Sequence, residues 1–133
     1  MTTPEDVLAF WLDEVGPKGW YAGGDALDTQ IRDKFSDAWD SLDQGTYGLW
    51  LTYPTGTLAY IILADQFSRN MFRGDGKAFS TDKLARAAAK VAIDRGWDKR
   101  VDAPARQFFY MLLMHSENLC DQDRAVRLFL TRM

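Results

Sequence analysis

Two segments of the chain carry side chains that could bind or transform a ligand, and the first runs from Asp65 to Arg73. Asp65, Arg69 and Arg73 follow one another at four-residue steps, so they share one face of a predicted helix. Gln66 and Asn70 lie beside them as neutral donors. These side chains supply more donors than Asp65 and Glu117 can satisfy, which leaves a guanidinium fork that can bind a carboxylate or a phosphate. The alternative is an ion-pair network that joins adjacent helices.

The second segment ends an almost uninterrupted apolar run at His115, the only histidine of the chain. This position predicts either a general acid or base supported by Asp65 or Glu117, or a core histidine whose ring hydrogen-bonds a carbonyl group. Glu117 lies about 200° from His115 around a regular helix. The two side chains can therefore serve one site only if the helix ends near them.

The two segments are predicted to meet, because each carries its polar residues at the end of an apolar stretch. Packing the apolar stretches together would bring the polar ends to a common rim. We therefore predict that His115 and Arg69 line one ligand-accessible site. Arginine and histidine side chains make an anion the natural ligand of such a site.

Other chemistries find little support in the sequence. One histidine and one cysteine, Cys120, cannot supply a structural zinc site, and we expect no metal and no cofactor. Ser116 does not stand in a glycine-flanked nucleophile motif. Gly74-Asp75-Gly76 follows a predicted helix, which indicates a tight turn rather than a phosphate-binding loop.

Helices must position these residues, because apolar residues recur at helical spacing nearly everywhere and no alternating run predicts a strand. The sequence therefore predicts an all-α fold, and short connections favour antiparallel helical hairpins. Residues 46–56 are predicted as an apolar connection. About six helices are predicted: from Pro4 to Gly16-Pro17, from Leu27 to Gly45, over Thr57–Met71, from Ser80 or Thr81 to Gly96, from Asp102 through Met114, and from Asp121 or Asp123 onward.

Length and composition indicate one globular domain over 1–133, with 133 residues, 47% hydrophobic and 26% charged, and a net charge of −3. Aspartates interrupt the densest basic stretch, which argues against a nucleic-acid partner. The longest apolar run, Leu58–Ala64, is far shorter than the roughly 20 residues of a membrane span, so we expect no membrane partner. The acidic N-terminus and the single cysteine predict a cytoplasmic protein.

Both polar segments resemble those of one family. The strings Asp-Gln-Phe-x-Arg-Asn-x-Phe-Arg, from Asp65, and Met-His-Ser-Glu, from Met114, are specific together, and Trp11 extends the similarity toward the start of the chain. In these strings the chain resembles the bacterial domain-of-unknown-function family 924. The resemblance implies an all-α, tetratricopeptide-like right-handed superhelix of helical hairpins, and no established activity.

The chain also departs from that family. Ser68 and Leu112 stand where the family usually has proline, and relatives continue beyond the end of this sequence. We therefore expect that a C-terminal segment present in relatives is missing here. An apolar stripe of Val126, Phe129 and Leu130 would then be uncovered, which predicts self-association through the C-terminal apolar face.

Three functions remain open on the sequence alone. The first is a binding module for a peptide or a small anionic ligand, through the polar site of helices three and five. The second is an enzyme on a small anionic substrate, in which Arg69 and Arg73 bind and His115 is the general acid or base. The third is a structural subunit. A concave polar pocket around His115 would favour the enzyme, and an open groove lined by aromatic side chains would favour peptide binding.

Overall fold

Apolar side chains at three- and four-residue spacing bury one face of the longer helices, and the fold contains helices and no strand. A computed structural model describes residues 1–133. The prediction of an all-α protein with about six helices is confirmed, since its eight α-helices form 6 segments when helices that follow one another without a break are counted together. None of the helices is both long and apolar enough to span a bilayer. The α-helices are α1 (Pro4–Leu8), α2 (Gly16–Ala22), α3 (Asp25–Asp43), α4 (Pro54–Ile61), α5 (Ser68–Met71), α6 (Asp82–Asp94), α7 (Phe108–Met114) and α8 (Leu119–Arg132).

Wider π-helical turns join some of these helices. The π-helix Ala9–Val15 follows α1, and the π-helix Ile62–Phe67 links α4 to α5, so residues 54–71 form one continuous helix. A π-turn closes its hydrogen bonds over five residues and so changes the angular spacing of the side chains that follow. The second π-helix contains both Asp65 and Gln66, which places this change inside the predicted polar stripe.

The helix over residues 54–71 is the centre of the molecule. Its first half is apolar, and residues 56–65 are all buried. Phe67 lies among three aromatic rings, with centroid distances of 5.9 Å to Phe10, 5.5 Å to Trp11 and 4.7 Å to Phe35. This packing fixes the rotation of the helix and therefore the directions of its polar residues.

Helix α6 packs against both α4 and α7. Its contact face is built from Ala85, Ala89 and Ala92, none of which has measurable exposure. Alanine favours the helix and is small enough for neighbouring helices to approach closely. The opposite faces of α6 are left to other side chains, including three basic residues.

Hydroxyl groups tie the start of α6 to the central helix. Thr81 precedes α6, as predicted, but its hydroxyl does not cap the helix. It donates instead to the carbonyl oxygen of Ala64 at 2.6 Å, while Ser68 donates to the carbonyl of Ala78 at 2.9 Å. These buried bonds hold Asp82, the first residue of α6, close to the π-helix that carries Asp65.

Several predicted helix ends were wrong. The first helix does not give way to a loop at Gly16-Pro17, because Gly16 takes a φ of 68° and the chain restarts as α2, where proline suits the first turn. The fifth helix begins at Phe108 rather than Asp102, after the 3₁₀ turn Ala105–Gln107. The last helix begins at Leu119, because the Asn118 side chain caps it by accepting from the Cys120 amide at 2.8 Å.

Candidate functional site

The largest cleft of the protein is open and has a volume of about 1040 Å³. We call it the α6 cleft, because one face of α6 forms one wall and residues 115–118, between α7 and α8, form the opposite wall. Charged and polar side chains dominate its lining, and Phe79 and Ala87 are its only apolar lining residues. This composition suits a polar, charged ligand better than an apolar one.

Helix α6 contributes a row of cations to this cleft. Lys83, Arg86 and Lys90 are spaced by three and four residues, so they lie on the same face of the helix, away from the buried alanine face. Lys90 is paired, with its Nζ 3.0 Å from Oδ1 of Asp121. Lys83 and Arg86 make neither an ion pair nor a side-chain hydrogen bond. The spacing of these three cations is visible in the sequence, but no role was predicted for them.

Arg69 lies at one end of the cleft, held between two aspartates. Its Nε donates to Oδ1 of Asp65 at 2.9 Å, and its Nη2 donates to Oδ2 of Asp82 at 3.2 Å. Asp65 is buried, and its second oxygen accepts from Nε2 of Gln66 at 2.9 Å. The alternative interpretation of this segment, an ion-pair network that joins adjacent helices, is thus observed around Arg69. Most of the charge-binding capacity of Arg69 is thus already satisfied within the protein.

Asp82 is a chemically unusual residue of the cleft, to which the sequence analysis assigned no role. Its Oδ1 is buried without a hydrogen-bond partner, while its Oδ2 is bound by Arg69. Burial raises the pKa of the Asp82 carboxyl above its ordinary value, against the opposing effect of Arg69, and the nearby Asp65 raises it further. Asp82 is therefore the carboxyl group of this cleft best suited to carry a proton.

His115 and Glu117 lie on the opposite wall. Helix α7 ends at Met114, so both residues are outside the regular helix and the expected separation of about 200° does not apply to them. Both are exposed, and neither side chain makes a hydrogen bond or an ion pair. Between them, the hydroxyl of Ser116 donates to Oδ2 of Asp121 at 2.8 Å and fixes the turn. His115 and Arg69 line the same cleft, as their packing predicted.

Asp121 joins the two walls of the cleft. Its carboxylate accepts hydrogen bonds from Lys90 of α6 and from Ser116 on its own side of the cleft. The bond from Lys90 first, and that from Ser116 after it, lower the pKa of the Asp121 carboxyl, against the opposing effect of burial. Arg86 lies near enough to lower the pKa values of both Asp121 and Asp82, but it bonds to neither. The cleft thus holds Arg86 among carboxylates without committing its guanidinium group.

The rest of the predicted ligand-binding stripe lies elsewhere. Gln66, Asn70 and Arg73 line a separate cleft beside α2 and α3, and only Arg69 borders both clefts. Arg73 Nε donates to Oδ2 of Asp28 at 2.7 Å, and Asn70 Nδ2 donates to Oδ1 of Asp28 at 2.8 Å. The hydrogen bond from Arg73 lowers the pKa of the Asp28 carboxyl, against the opposing effect of burial.

The expectation that Arg73, Asn70 and Gln66 share one site with His115 was therefore wrong. Asp82 of α6 binds Arg69 on one side of the central helix, and Asp28 of α3 binds Arg73 on another. The π-helix before them also shifts the angular spacing of the side chains. Arg69 and Arg73 therefore lie in different clefts, because their ion-pair partners Asp82 and Asp28 belong to different helices.

Metal binding has no evident place in this arrangement. No group of three or more histidine, cysteine, aspartate or glutamate side chains is placed to hold a metal ion. Cys120 is exposed and free, on the first turn of α8. The chemistry that the α6 cleft offers is that of its cations, of His115 and of Asp82.

Comparison with known proteins places this chain in a family. Residues 7–133 match the family described as bacterial protein of unknown function, DUF924. The chain is also similar to the solved structure of a protein of unknown function, ATU0120, from Agrobacterium tumefaciens, with a TM-score of 0.92 and 36% sequence identity over 98% of this chain and 73% of that one. No curated protein matches the sequence. The chain therefore belongs to the DUF924 family of bacterial proteins of unknown function.

Proposed function

We propose that the protein is a binding module for a small anionic ligand, which the α6 cleft receives on Arg86 and Lys83. The observation that carries the proposal is that these two cations line an open cleft and have no ion-pair partner, whereas Arg69 and Lys90 are paired with aspartates. An uncommitted guanidinium group can form two parallel hydrogen bonds with a carboxylate or a phosphate.

The lining of the cleft favours a small anion over a peptide. A peptide groove would offer aromatic or aliphatic pockets along its length. In the α6 cleft the one aromatic side chain is Phe79, and the guanidinium group of Arg69 lies over its ring at 4.9 Å from the centroid. His115 adds a group that can hydrogen-bond the ligand in either protonation state.

Thermal unfolding in the presence of phosphate, sulfate or acetate tests this proposal. We expect at least one of these anions to raise the melting temperature of the wild-type protein in a saturable way. Arg86→Ala and Lys83→Ala should each weaken the apparent affinity, by about tenfold for the arginine. Arg127→Ala and Lys99→Ala are matched controls, because both side chains are exposed, outside the cleft and without ion-pair partners. An equal loss in the controls would contradict the proposal.

Asp82 favours a second candidate function, an enzyme acting on a small anionic substrate. A carboxyl group with a raised pKa and a buried, unpartnered oxygen is suited to donate a proton, and His115 across the cleft could serve as the base. Asp65, buried and bound by Arg69, would position that arginine, and Glu117 would support His115. A purely structural subunit is the third candidate.

A panel of phosphate and carboxylate esters separates these candidates. An enzyme should hydrolyse at least one ester, and Asp82→Asn or His115→Gln should slow the reaction by about a hundredfold. Anion binding without turnover would favour the binding module, and the absence of both would leave the structural subunit. The cytoplasmic location and the tetratricopeptide-like superhelix stay predictions from the sequence.

A further inference from the structure

A second depression lies on the neighbouring face of α6. It is a groove of about 230 Å³, with an almost wholly apolar lining that includes Leu84 and Val91 of α6, Tyr60 of α4, and Trp97. Leu84 and Val91 are 42% and 46% exposed, so two large aliphatic side chains of this helix are open to solvent. The one lining residue outside the apolar class, Thr57, has its hydroxyl engaged by the Tyr53 carbonyl at 2.9 Å.

The groove and the α6 cleft adjoin at Ala87. Its side chain lines both depressions, and it is exposed. The unpaired cations Lys83 and Arg86 therefore line one depression beside Ala87, and Leu84 and Val91 line the other. A larger residue at position 87 would raise a barrier there.

From this continuity we propose that the anionic ligand of the α6 cleft is amphiphilic, with its carboxylate or phosphate head on Arg86 and Lys83 and a linear acyl chain over Ala87 in the groove. This inference rests on the proposed function. Unpaired cations call for an anionic head, and the adjoining apolar lining calls for a hydrocarbon tail.

The size of the groove selects a chain over bulkier apolar partners. At about 230 Å³ it is smaller than the roughly 300–1,000 Å³ of pockets that hold drug-sized molecules. An amphipathic helix, roughly 10 Å across, needs a wider channel. A flexible acyl chain is narrow enough to bend over Ala87 and lie between Leu84 and Trp97.

A series of carboxylates of increasing length tests the inference by calorimetric titration: acetate, butyrate, hexanoate and octanoate. We expect the affinity to rise with each added methylene, by up to about fourfold at full burial, until the groove is filled. Hexyl phosphate against inorganic phosphate repeats the comparison with the other head group. Arg86→Ala should weaken binding of octanoate, and Val91→Gln should weaken octanoate far more than acetate.

Two controls give direction to the test. Arg127 of α8 is exposed and lines neither depression, so Arg127→Ala should leave octanoate binding unchanged. Ala87→Gln should obstruct the passage between the two depressions and reduce the gain from chain length. Both sites are exposed, and neither change removes a buried contact.

The outcomes separate this inference from the proposed function. Acetate or phosphate that binds through Arg86 without any gain from chain length would overturn the acyl chain and support the anion site. Octanoate that binds independently of Arg86, or that is lost in Arg127→Ala, would overturn the joined site. An acidic apolar peptide that binds more tightly than octanoate through the same residues would replace the acyl ligand. Absence of binding by every anion would overturn both proposals.

Discussion

Arg69 and Arg86 lie in the same cleft, and their neighbours give them different chemistry. Arg69 has two aspartates within hydrogen-bond distance, whereas Arg86 has none. The four-residue spacing that makes Arg69 conspicuous beside Asp65 in the sequence is also the spacing that forms an intrahelical ion pair. Arg86 also stands four residues after an aspartate, Asp82, but Asp82 binds Arg69 instead, so Arg86 is left without a partner. Contacts between helices therefore decide which charged residue stays available for a ligand.

Removal of the Asp65 carboxylate should destabilise the protein strongly. Asp65 is 1% exposed and binds Arg69 through its Oδ1, so Asp65→Ala leaves a largely buried guanidinium group with one partner fewer. We expect a loss of about 3 kcal/mol in the free energy of unfolding. Urea denaturation measures this loss directly.

Asp33→Ala is the matched control for this measurement. Asp33 lies in the middle of α3, exposed and without an ion pair, so its removal should cost less than about 0.5 kcal/mol. If Asp65→Ala cost no more than Asp33→Ala, the ion pair with Arg69 would contribute nothing to the fold.

At the scale of helices, much of the fold could be predicted from the sequence and much of the site could not. The burial of residues 58–64 could be predicted because this run is apolar on every side of the helix. The start of α8 was missed because Asp121 resembles a cap, whereas in the fold its carboxylate binds Ser116 and Lys90, and Asn118 caps the helix.

The site could not be predicted without knowing which helices are neighbours in the fold. Asp28 precedes Arg73 by many residues, and nothing in either local sequence indicates that the two form an ion pair. On α6, the alanines indicate a packing face, but the sequence alone does not show that the cations between them border a cleft. His115 and Arg69 could be placed together because both stand at the ends of apolar stretches, which is a feature that the sequence displays.

The junction of α3 and α5 should make stability depend on acidity. The Arg73 hydrogen bond lowers the pKa of the Asp28 carboxyl from its ordinary value of 3.8. A carboxyl group whose pKa is lowered by folding stabilises the native state above its ordinary pKa, and this contribution is lost as the pH falls through the lowered value. We therefore expect Asp28→Asn to destabilise the protein at pH 7 and to lose less stability than the wild type on acidification below about pH 4.

Thermal melts of both proteins between neutral and acidic pH check this sign. Asp33→Asn serves as the control, because it changes an exposed carboxylate of the same helix that has no ion pair. Parallel loss of stability in the wild type and Asp28→Asn would show that Asp28 is not coupled to folding through Arg73.

In the whole molecule, α6 is the helix that borders both depressions. Its alanine face packs against α4 and α7, its basic face borders the α6 cleft, and its aliphatic face borders the apolar groove. Membership of the DUF924 family supplies no activity. The function proposed for the protein therefore rests on the unpaired cations and the exposed apolar side chains of α6.

The exposed face of α8 should promote self-association. Val126, Leu130 and Met133 are 48%, 80% and 46% exposed, and their spacing places them along one side of the helix. Phe129, also expected to be uncovered, is instead half-buried and packs edge-on against Tyr110 with centroids 5.5 Å apart. Light scattering over a range of concentrations should show dimers or larger species, and Leu130→Glu should restore the monomer. A monomer at every concentration would contradict this prediction.

Calorimetric titration of inorganic phosphate into the wild type, Arg86→Ala and Arg127→Ala, at low ionic strength, tests whether Arg86 binds an anion in the α6 cleft. We expect saturable binding of one phosphate per chain in the wild type and the same affinity in Arg127→Ala. In Arg86→Ala the affinity for phosphate should fall at least tenfold, which is about 1.4 kcal/mol. Both variants place alanine, which favours a helix, where the native arginine makes no ion pair, so both should stay folded. Equal phosphate affinity in all three proteins would contradict an anion site on Arg86.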